Sequence, residues 1–555
     1  EAVDSPWLMY YSDAAGRLSR LMPEPPGGLR RQDLPKTLVL NGAFYFFDLA
    51  EFFAQQRLVF AEGLGFEMPQ DRSLDIDTLA DFEAARLFGP VSQVMPEDIR
   101  CMHVAYDAPE AAALAAMGIA DVPVFKQQLP TFIKDIVPDA ARLAEMEQLI
   151  VSATKGAFGL NSAIQSDRTM QDMAYTDCLR LADAYLAFWQ DFVTAHEIDH
   201  ILHEPVSLLF NFMAAVALAT RGGSYLYCIM SQAEPGSYRF MVMEGFELYS
   251  PDIARTMTLT PGTRGAEGYD RTGLQGFLDD FRNSIATFFG GAVTQSVSWH
   301  RLAAKSLRNI TRRHARKGQL DPLIDAVEAW DLRQNLAADK LRNLRDYRRT
   351  VRFDPFDADQ TYWFYPMHLE PEAVVLYEAH GIYTNQIKLI ENIAAQLPPG
   401  HLLYVKDHPH DIGYRDAADY RRLNAVPNIR LLPANVPGKQ VIRHAFGVVT
   451  ITGTAGFEAM LMRKPVVAFG GTFYTGYPGI RRLAHVRDLR ATLDGLTPDS
   501  LPDDEALLDY LEAYFASIHP GMISFFAGRA AKSGIDLDEN ALIVAQGLAK
   551  SIRAL

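Results

Sequence analysis

The sequence predicts an α/β protein of at least two domains, the second built on a doubly wound parallel sheet. Three observations predict it. The 555-residue chain is long for a single core. From residue 354 to about 475, short apolar or aromatic runs alternate with segments of helical spacing. Three of those runs end in polar clusters, as expected where the carboxyl ends of parallel strands share one edge.

Bulk properties narrow the class further. Apolar content of 48% and charged content of 22% are those of an ordinary globular protein. A net charge of −15 argues against general nucleic-acid binding, which usually needs a basic face. Cys101, Cys178 and Cys228 are far apart and fit no metal spacing, so reduced core thiols in a cytoplasmic protein are expected. No secretory signal pattern stands near the start, and residue 1 is Glu rather than Met. The longest apolar run, Val206–Ala219, contains Asn211 and is too short to cross a bilayer.

Residues 1–36 are rich in Pro, Gly and Arg and read as an irregular lead-in. Thr37–Leu40 reads as a strand, Phe46–Glu62 as an aromatic-rich helix, Arg100–Ala105 as a strand and Pro109–Met117 as a helix. Ala140–Thr154, with Asp139 placed to cap it, and Met170–Thr194 have helical periodicity. His196-Glu197-Ile198-Asp199-His200 matches the zinc-protease pattern H-E-x-x-H, but Asp199 precedes the second His and no third ligand follows. A polar helix-to-strand junction is the better reading, and no metal site is expected.

His200–Glu204 then ends a strand, with Pro205 suited to the first turn of a helix over Val206–Thr220 and a strand at Ser224–Met230. Glu204 at that junction either caps the helix dipole or serves as a general base facing an acceptor hydroxyl. Residues 300–352 hold 14 Lys and Arg against six Asp and Glu, a net +8 that leaves −23 on the remainder. They read as long helices, either with a solvated charged face or with a patch for anionic head groups or an anionic glycan.

The second domain opens near Asp354. Thr361–Pro366 is a strand ending in Met367-His368-Leu369-Glu370-Pro371-Glu372; a helix follows over Thr384–Leu397. Leu402–Val405 is a strand ending in Lys406-Asp407-His408-Pro409, and Ile429–Leu432 a shorter one before the helix Gly438–Ala445. Phe446–Thr452 leads into Gly453-Thr454-Ala455-Gly456, the helix Phe457–Arg463 and the strand Val466–Phe469. Residues 503–555 are mostly helical. The glycine turn leaves backbone N–H groups beside the hydroxyls of Thr452 and Thr454, an anion site suited to a nucleotide phosphate. Glu458, one turn on, is in reach of a ribose hydroxyl. The competing reading gives the glycines only a packing role. Asp357-Ala358-Asp359 has the spacing of a diphosphate–metal motif but precedes a strand, at the wrong end.

Tyr365-Pro366-Met367-His368-Leu369-Glu370-Pro371-Glu372, Tyr404–Pro409, Thr452–Ala459 and Lys464–Gly470 with Tyr474 resemble the bacterial capsule polysaccharide synthesis family, whose members include Kdo transferases acting on lipid-linked glycans. The likeness is strong over roughly 360–475 and weaker at His203-Glu204-Pro205 with Arg239. It implies a GT-B-type fold, two Rossmann-like domains facing a cleft; the helical basic insertion between them is read from the charge run, where the likeness is not traceable. The implied divisions are 1–254 (acceptor side), 255–353 (insertion), 354–520 (nucleotide sugar) and 521–555 (helices closing the domain or crossing back). It further implies that His408-Pro409 and Thr452 with Thr454 hold a cytidine-monophosphate sugar, and that His368–Glu372 faces the sugar.

Glycosyl transfer needs a stabilised leaving phosphate, for which Lys406, His408 and the helix at Gly453 are the candidates. Nucleotide contacts are therefore expected from Lys406, His408, Pro409, Thr452, Gly453, Thr454, Gly456 and Glu458. Catalytic roles fall to Glu204 as base, to Glu370 or Glu372 at the oxocarbenium-like centre, and to His368 in orienting sugar or phosphate. No cofactor beyond the nucleotide-sugar donor is expected. The expected partners are that donor, a glycan or glycolipid acceptor, and an anionic membrane at 300–352, which would put the protein at the inner face of the inner membrane. The alternatives are a transferase or epimerase using a uridine-diphosphate sugar, and a non-catalytic glycan-binding assembly subunit.

Overall fold

The computed structural model describes residues 10–12, 18–20, 101–103, 133–231, 238–246, 248–264, 269–284, parts of 300–327, 337–370, 373–383, 385–408, 411–523 and 536–555. The expected elements at 37–40, 46–62 and 109–117 lie outside the described residues, as do Glu372, Pro409 and residues 312–321 of the basic segment. Residues 1–93 form one compact unit, in which β1 (Tyr10–Ser12) and β2 (Leu18–Arg20) pair antiparallel. Residues 94–555 form the other.

This larger unit contains two sheets. The first holds β3 (Cys101–His103), β4 (His200–His203), β5 (Ser224–Ser231) and β6 (Arg239–Glu244). The β3–β4 and β4–β5 pairings are parallel, and helices cross between those strands. The β5–β6 pairing is antiparallel, because a connection of seven residues is too short for a crossover helix. The helix Tyr175–Ala195 turns Leu179, Ala182, Leu186, Trp189 and Val193 inward at helical spacing, against Phe212 and Val216 of the helix Leu209–Ala219.

Several boundaries differ from those expected, for local reasons. Asp139 caps the helix Ala140–Ala153 as expected, accepting from the Arg142 N–H at 2.9 Å. The next long helix starts at Tyr175 rather than Met170, because Asp167 holds Thr169 N and Oγ1 at 2.7 and 2.6 Å in a turn. The same buried carboxylate accepts from Leu209 N at 2.5 Å, so that helix begins at Leu209 and Pro205 lies outside it. The H-E-x-x-H residues share no helical face: the helix ends at Ala195, Glu197 adopts φ 51° and His200 opens β4.

The second sheet is all parallel, in the order β12-β11-β10-β7-β8-β9. Its strands are β7 (Tyr362–Pro366), β8 (Leu402–Lys406), β9 (Ile429–Leu432), β10 (Gly447–Thr450), β11 (Val466–Ala468) and β12 (Ile480–Arg482). Counted within the domain this is 3-2-1-4-5-6, the doubly wound order, with its switch point between β7 and β10. The strands are apolar on both faces because helices cover both. Gly447 has a packing reason: a Cβ there would lie 2.3 Å from the Trp363 ring on the neighbouring strand. The chain thus folds as two Rossmann-like α/β domains.

The end of the chain returns to the first sheet. β13 (His519–Pro520) pairs with β6, and the helix Leu537–Arg553 lays Val544, Leu548 and Ile552 over Leu202, Leu226 and Phe240. A buried cluster fastens it. Ser551 donates to Asp252 Oδ2 at 2.5 Å, and His519 Nε2 lies 2.8 Å from Ser551 Oγ and 3.2 Å from Asp252 Oδ2. Between the two sheets runs the segment 373–383. It gives Leu376 and Tyr377 to the first core, and Val375, Ala379 and Tyr383 to the second.

Candidate active site at the switch point of the second sheet

His368 follows β7, and the turn Thr452-Gly453 follows β10, so both stand at the switch point. Gln386, buried in the first turn of the helix Gln386–Gln396, fixes His368 at both ends. Its Oε1 accepts from His368 N at 2.7 Å and lies 3.4 Å from Nδ1; its Nε2 donates to His368 O at 3.2 Å. The other ring nitrogen, Nε2, lies 3.3 Å from Thr450 Oγ1 and accepts from the Thr452 N–H at 3.4 Å. That pattern assigns the proton to Nδ1. Burial pulls the imidazole down to about 4, the Gln386 bond opposes this, and the nearby His408 adds to it. His368 is therefore a neutral acceptor at neutral pH, not a cation.

Gly453 is the residue that lets the ring in. A Cβ there would sit 2.9 Å from Thr450 Oγ1 and 3.0 Å from His368 Nε2. Gly456 has a packing role, since its Cβ would meet Tyr474 Oη at 2.5 Å while that hydroxyl donates to Gly453 O at 2.6 Å. Gly453 caps the helix Thr454–Leu461, which starts three residues before the expected Phe457. The N–H groups of Thr454 and Ala455 head this helix and lack intrahelical acceptors. Thr454 is exposed, whereas Thr452 is buried and donates its hydroxyl proton to Glu378 Oε2 at 2.8 Å.

Around this centre lies a charged network that the sequence did not disclose. Glu370 accepts from Arg415 Nη1 at 2.6 Å and from Gln386 Nε2 at 3.2 Å. Arg415 also donates to the fully buried Asp411 at 2.7 Å. Burial pushes the Asp411 carboxyl up to about 7 despite Arg415. Asp407, also buried, accepts from Tyr420 Oη at 2.5 Å and from His408 N at 3.0 Å. Lys406 closes β8; burial lowers its ammonium, against the charges of Asp407 and Glu458. Glu458 is itself buried, beside Lys406 and Lys439, the latter held down to about 8 by burial.

The structure therefore brings His368, Thr452, Gly453 and His408 together at one edge, with Glu370 joined through Gln386. The half-buried Lys406 lies close enough to the buried Glu458 to feel its charge. Glu204 is carried by the other sheet, at the end of β4, where its carbonyl accepts from Tyr225 Oη at 2.8 Å. Gln386, Arg415, Asp411 and Glu378 are additional members. Asn385, not singled out in the sequence, caps the helix through its side chain accepting from Lys388 N, and as an N-cap residue type it is a signal that could have placed Gln386 at the helix start. Among the described residues no group of three or more His, Cys, Asp or Glu is disposed to hold a metal.

Residues 328–509 match the model of the family described as capsule polysaccharide biosynthesis protein. The matched segment is less than half of the chain. It contains the whole parallel sheet and every member of the His368 network. No curated protein matches the chain. Among solved structures, the chain is similar to the beta Kdo 2,7 transferase of Thermosulfurimonas dismutans KpsC (20% identity, 37% of this chain and 57% of that one, TM-score 0.20). It is also similar to the beta Kdo 2,4 transferase of the same KpsC (14%, 58% and 82%, TM-score 0.26). A third likeness is to UDP-GlcNAc 2-epimerase from Methanocaldococcus jannaschii (10%, 72% and 92%, TM-score 0.21). The chain spans only 57% of the first of these.

Proposed function

We propose that the protein is a glycosyltransferase of capsule or lipopolysaccharide assembly, which moves Kdo or a related ulosonic acid from its CMP-linked form to a glycan acceptor. The observation that supports this most is the convergence of His368, His408 and the Thr452-Gly453 turn at the switch point of a 3-2-1-4-5-6 sheet, inside the family-matched segment.

In this reading the phosphate lies at the head of the helix Thr454–Leu461, where open N–H groups and the helix dipole favour an anion. As the glycosyl–phosphate bond breaks, the growing phosphate charge is stabilised there and by Lys406, with His408-Pro409 against the nucleotide. Glu204, from the facing domain, takes the proton of the acceptor hydroxyl. Thr452 shapes the turn rather than touching the phosphate, since its hydroxyl is given to Glu378 and its N–H to His368. The basic residues of 300–352 hold the enzyme against an anionic membrane that carries the acceptor. Unchanged liposome binding after charge reversal of Arg312, Arg313, Arg316 and Lys317 contradicts that last element.

A thermal-shift panel of CMP, CDP, UMP, UDP and GDP tests the reading. A nucleotide present at 100 times its Kd stabilises by about 2.7 kcal/mol. Stabilisation by CMP alone is expected. Stabilisation by UDP alone replaces the donor with a uridine-diphosphate sugar, and no stabilisation by any of them overturns the transferase reading.

A further inference from the structure

Gln386 was not among the residues that sequence reasoning selected, yet the hydrogen-bond polarity of the turn at Gly453 runs back to it. Its side chain is fully buried and meets partners of opposite kind at its two ends. Oε1 receives the His368 N–H at 2.7 Å and the Tyr365 hydroxyl at 3.2 Å, both donors. Nε2 faces the His368 carbonyl and Glu370 Oε2, each at 3.2 Å and both acceptors. Glu370 is held in its turn by Arg415 at 2.6 Å. Four such partners admit one orientation of the amide, so its oxygen is the end that lies 3.4 Å from His368 Nδ1. An acceptor there keeps the imidazole proton on Nδ1 and leaves Nε2 with a bare lone pair.

That lone pair organises the turn. It accepts the Thr452 N–H at 3.4 Å and lies 3.3 Å from the hydroxyl of the fully buried Thr450, which itself accepts the Gly453 N–H at 3.1 Å. The N–H groups of Thr452 and Gly453 are thus drawn to protein acceptors, and that of Gly456 to Gly453 O at 2.9 Å. Those of Thr454 and Ala455 are the ones left at the helix head for an anion. We propose that Gln386 is a positioning residue for the phosphate site: by fixing the tautomer of His368, it holds the turn in the form that presents these two N–H groups. Both ring nitrogens of His368 then serve the protein, and the imidazole supports the site without touching the nucleotide. The proposal rests on the nucleotide-sugar reading above and names the residue that shapes its phosphate site.

Two measurements at mildly alkaline pH test it together: imidazole nitrogen NMR of His368, assigned by its loss in His368→Gln, and calorimetric titration with CMP and with UDP. Wild type is expected to carry the ring proton on Nδ1. In Gln386→Met, which keeps the bulk and removes the amide, the proton is expected to move to Nε2, where Thr450 Oγ1 can accept it. The nucleotide that wild type binds should then weaken by roughly tenfold or more, because a donor on Nε2 opposes the Thr452 N–H. Gln386→Glu, which retains an acceptor toward Nδ1, should keep the wild-type tautomer and bind within about threefold of wild type. This variant decides the matter if Gln386→Met does not fold, and loss of either property in it overturns the proposal. A proton on Nε2 in wild type, or an unchanged tautomer or affinity in Gln386→Met, overturns the proposal and leaves the nucleotide reading standing. Wild type binding neither nucleotide overturns the nucleotide-sugar reading, and the role of Gln386 with it.

Discussion

Acidification is expected to unfold this protein partly through one imidazole. His368 is buried, with Nδ1 toward the Gln386 amide oxygen and Nε2 receiving the Thr452 N–H. Protonating Nε2 would set two donors against each other in an apolar surround. The folded-state value is accordingly about 4, against 6.5 for the exposed group. The sign follows from proton uptake. Between pH 6.5 and 4 the unfolded chain binds a proton at His368 that the folded chain refuses, so stability falls as pH drops through that window and is complete above 6.5. With each pH unit worth about 1.4 kcal/mol, the loss attributable to His368 is about 3 kcal/mol. Urea unfolding of wild type and His368→Gln between pH 4 and 7.5 measures it, because the other titrating groups cancel in the difference. The difference between the two proteins should change by about 3 kcal/mol across the window, in the direction that favours the variant at low pH. A difference independent of pH refutes the neutral, buried imidazole.

Four further outcomes follow from the same geometry. Gly456→Ala drives a methyl against Tyr474 Oη and its ring, and thermal or urea unfolding should show a loss of about 1–3 kcal/mol. Arg415→Leu strips the buried Asp411 and the half-buried Glu370 of their partner and should cost about 3–5 kcal/mol in urea unfolding, part of it regained on adding Asp411→Asn. On the functional side, His408→Ala should weaken nucleotide binding by calorimetry. Glu204→Ala should leave binding intact and abolish transfer, and normal turnover in Glu204→Ala removes it as the base.

How much of this was legible in the sequence depended on whether the signal was local. Parallel strands buried on both faces read as unbroken apolar runs, so β7, β8, β9, β10 and β11 stood out, as did the polar clusters at the carboxyl ends of β7, β8 and β10. Caps with their own side chain were legible too, as at Asp139. Helix starts governed by a distant residue were not: Asp167 moves one start to Leu209 against the signal of Pro205. The site divides the same way. Thr452, Gly453, His368 and His408 were found because strand ends announce them. Gln386, Arg415 and Glu378 are ordinary polar residues on helices and turns, and only tertiary packing turns them toward the site. Glu370 and Thr452 illustrate the converse. Their residue types promised free chemistry, and the fold engages both with protein partners.

The central claim is that the head of the helix Thr454–Leu461, beside His368, holds the nucleotide's phosphate. A crystal structure of the protein soaked with CMP tests it most directly. The account predicts phosphate oxygens within hydrogen-bonding distance of the Thr454 and Ala455 N–H groups, with His408 against the nucleoside. CMP bound elsewhere, or with its phosphate turned away from that helix, contradicts it.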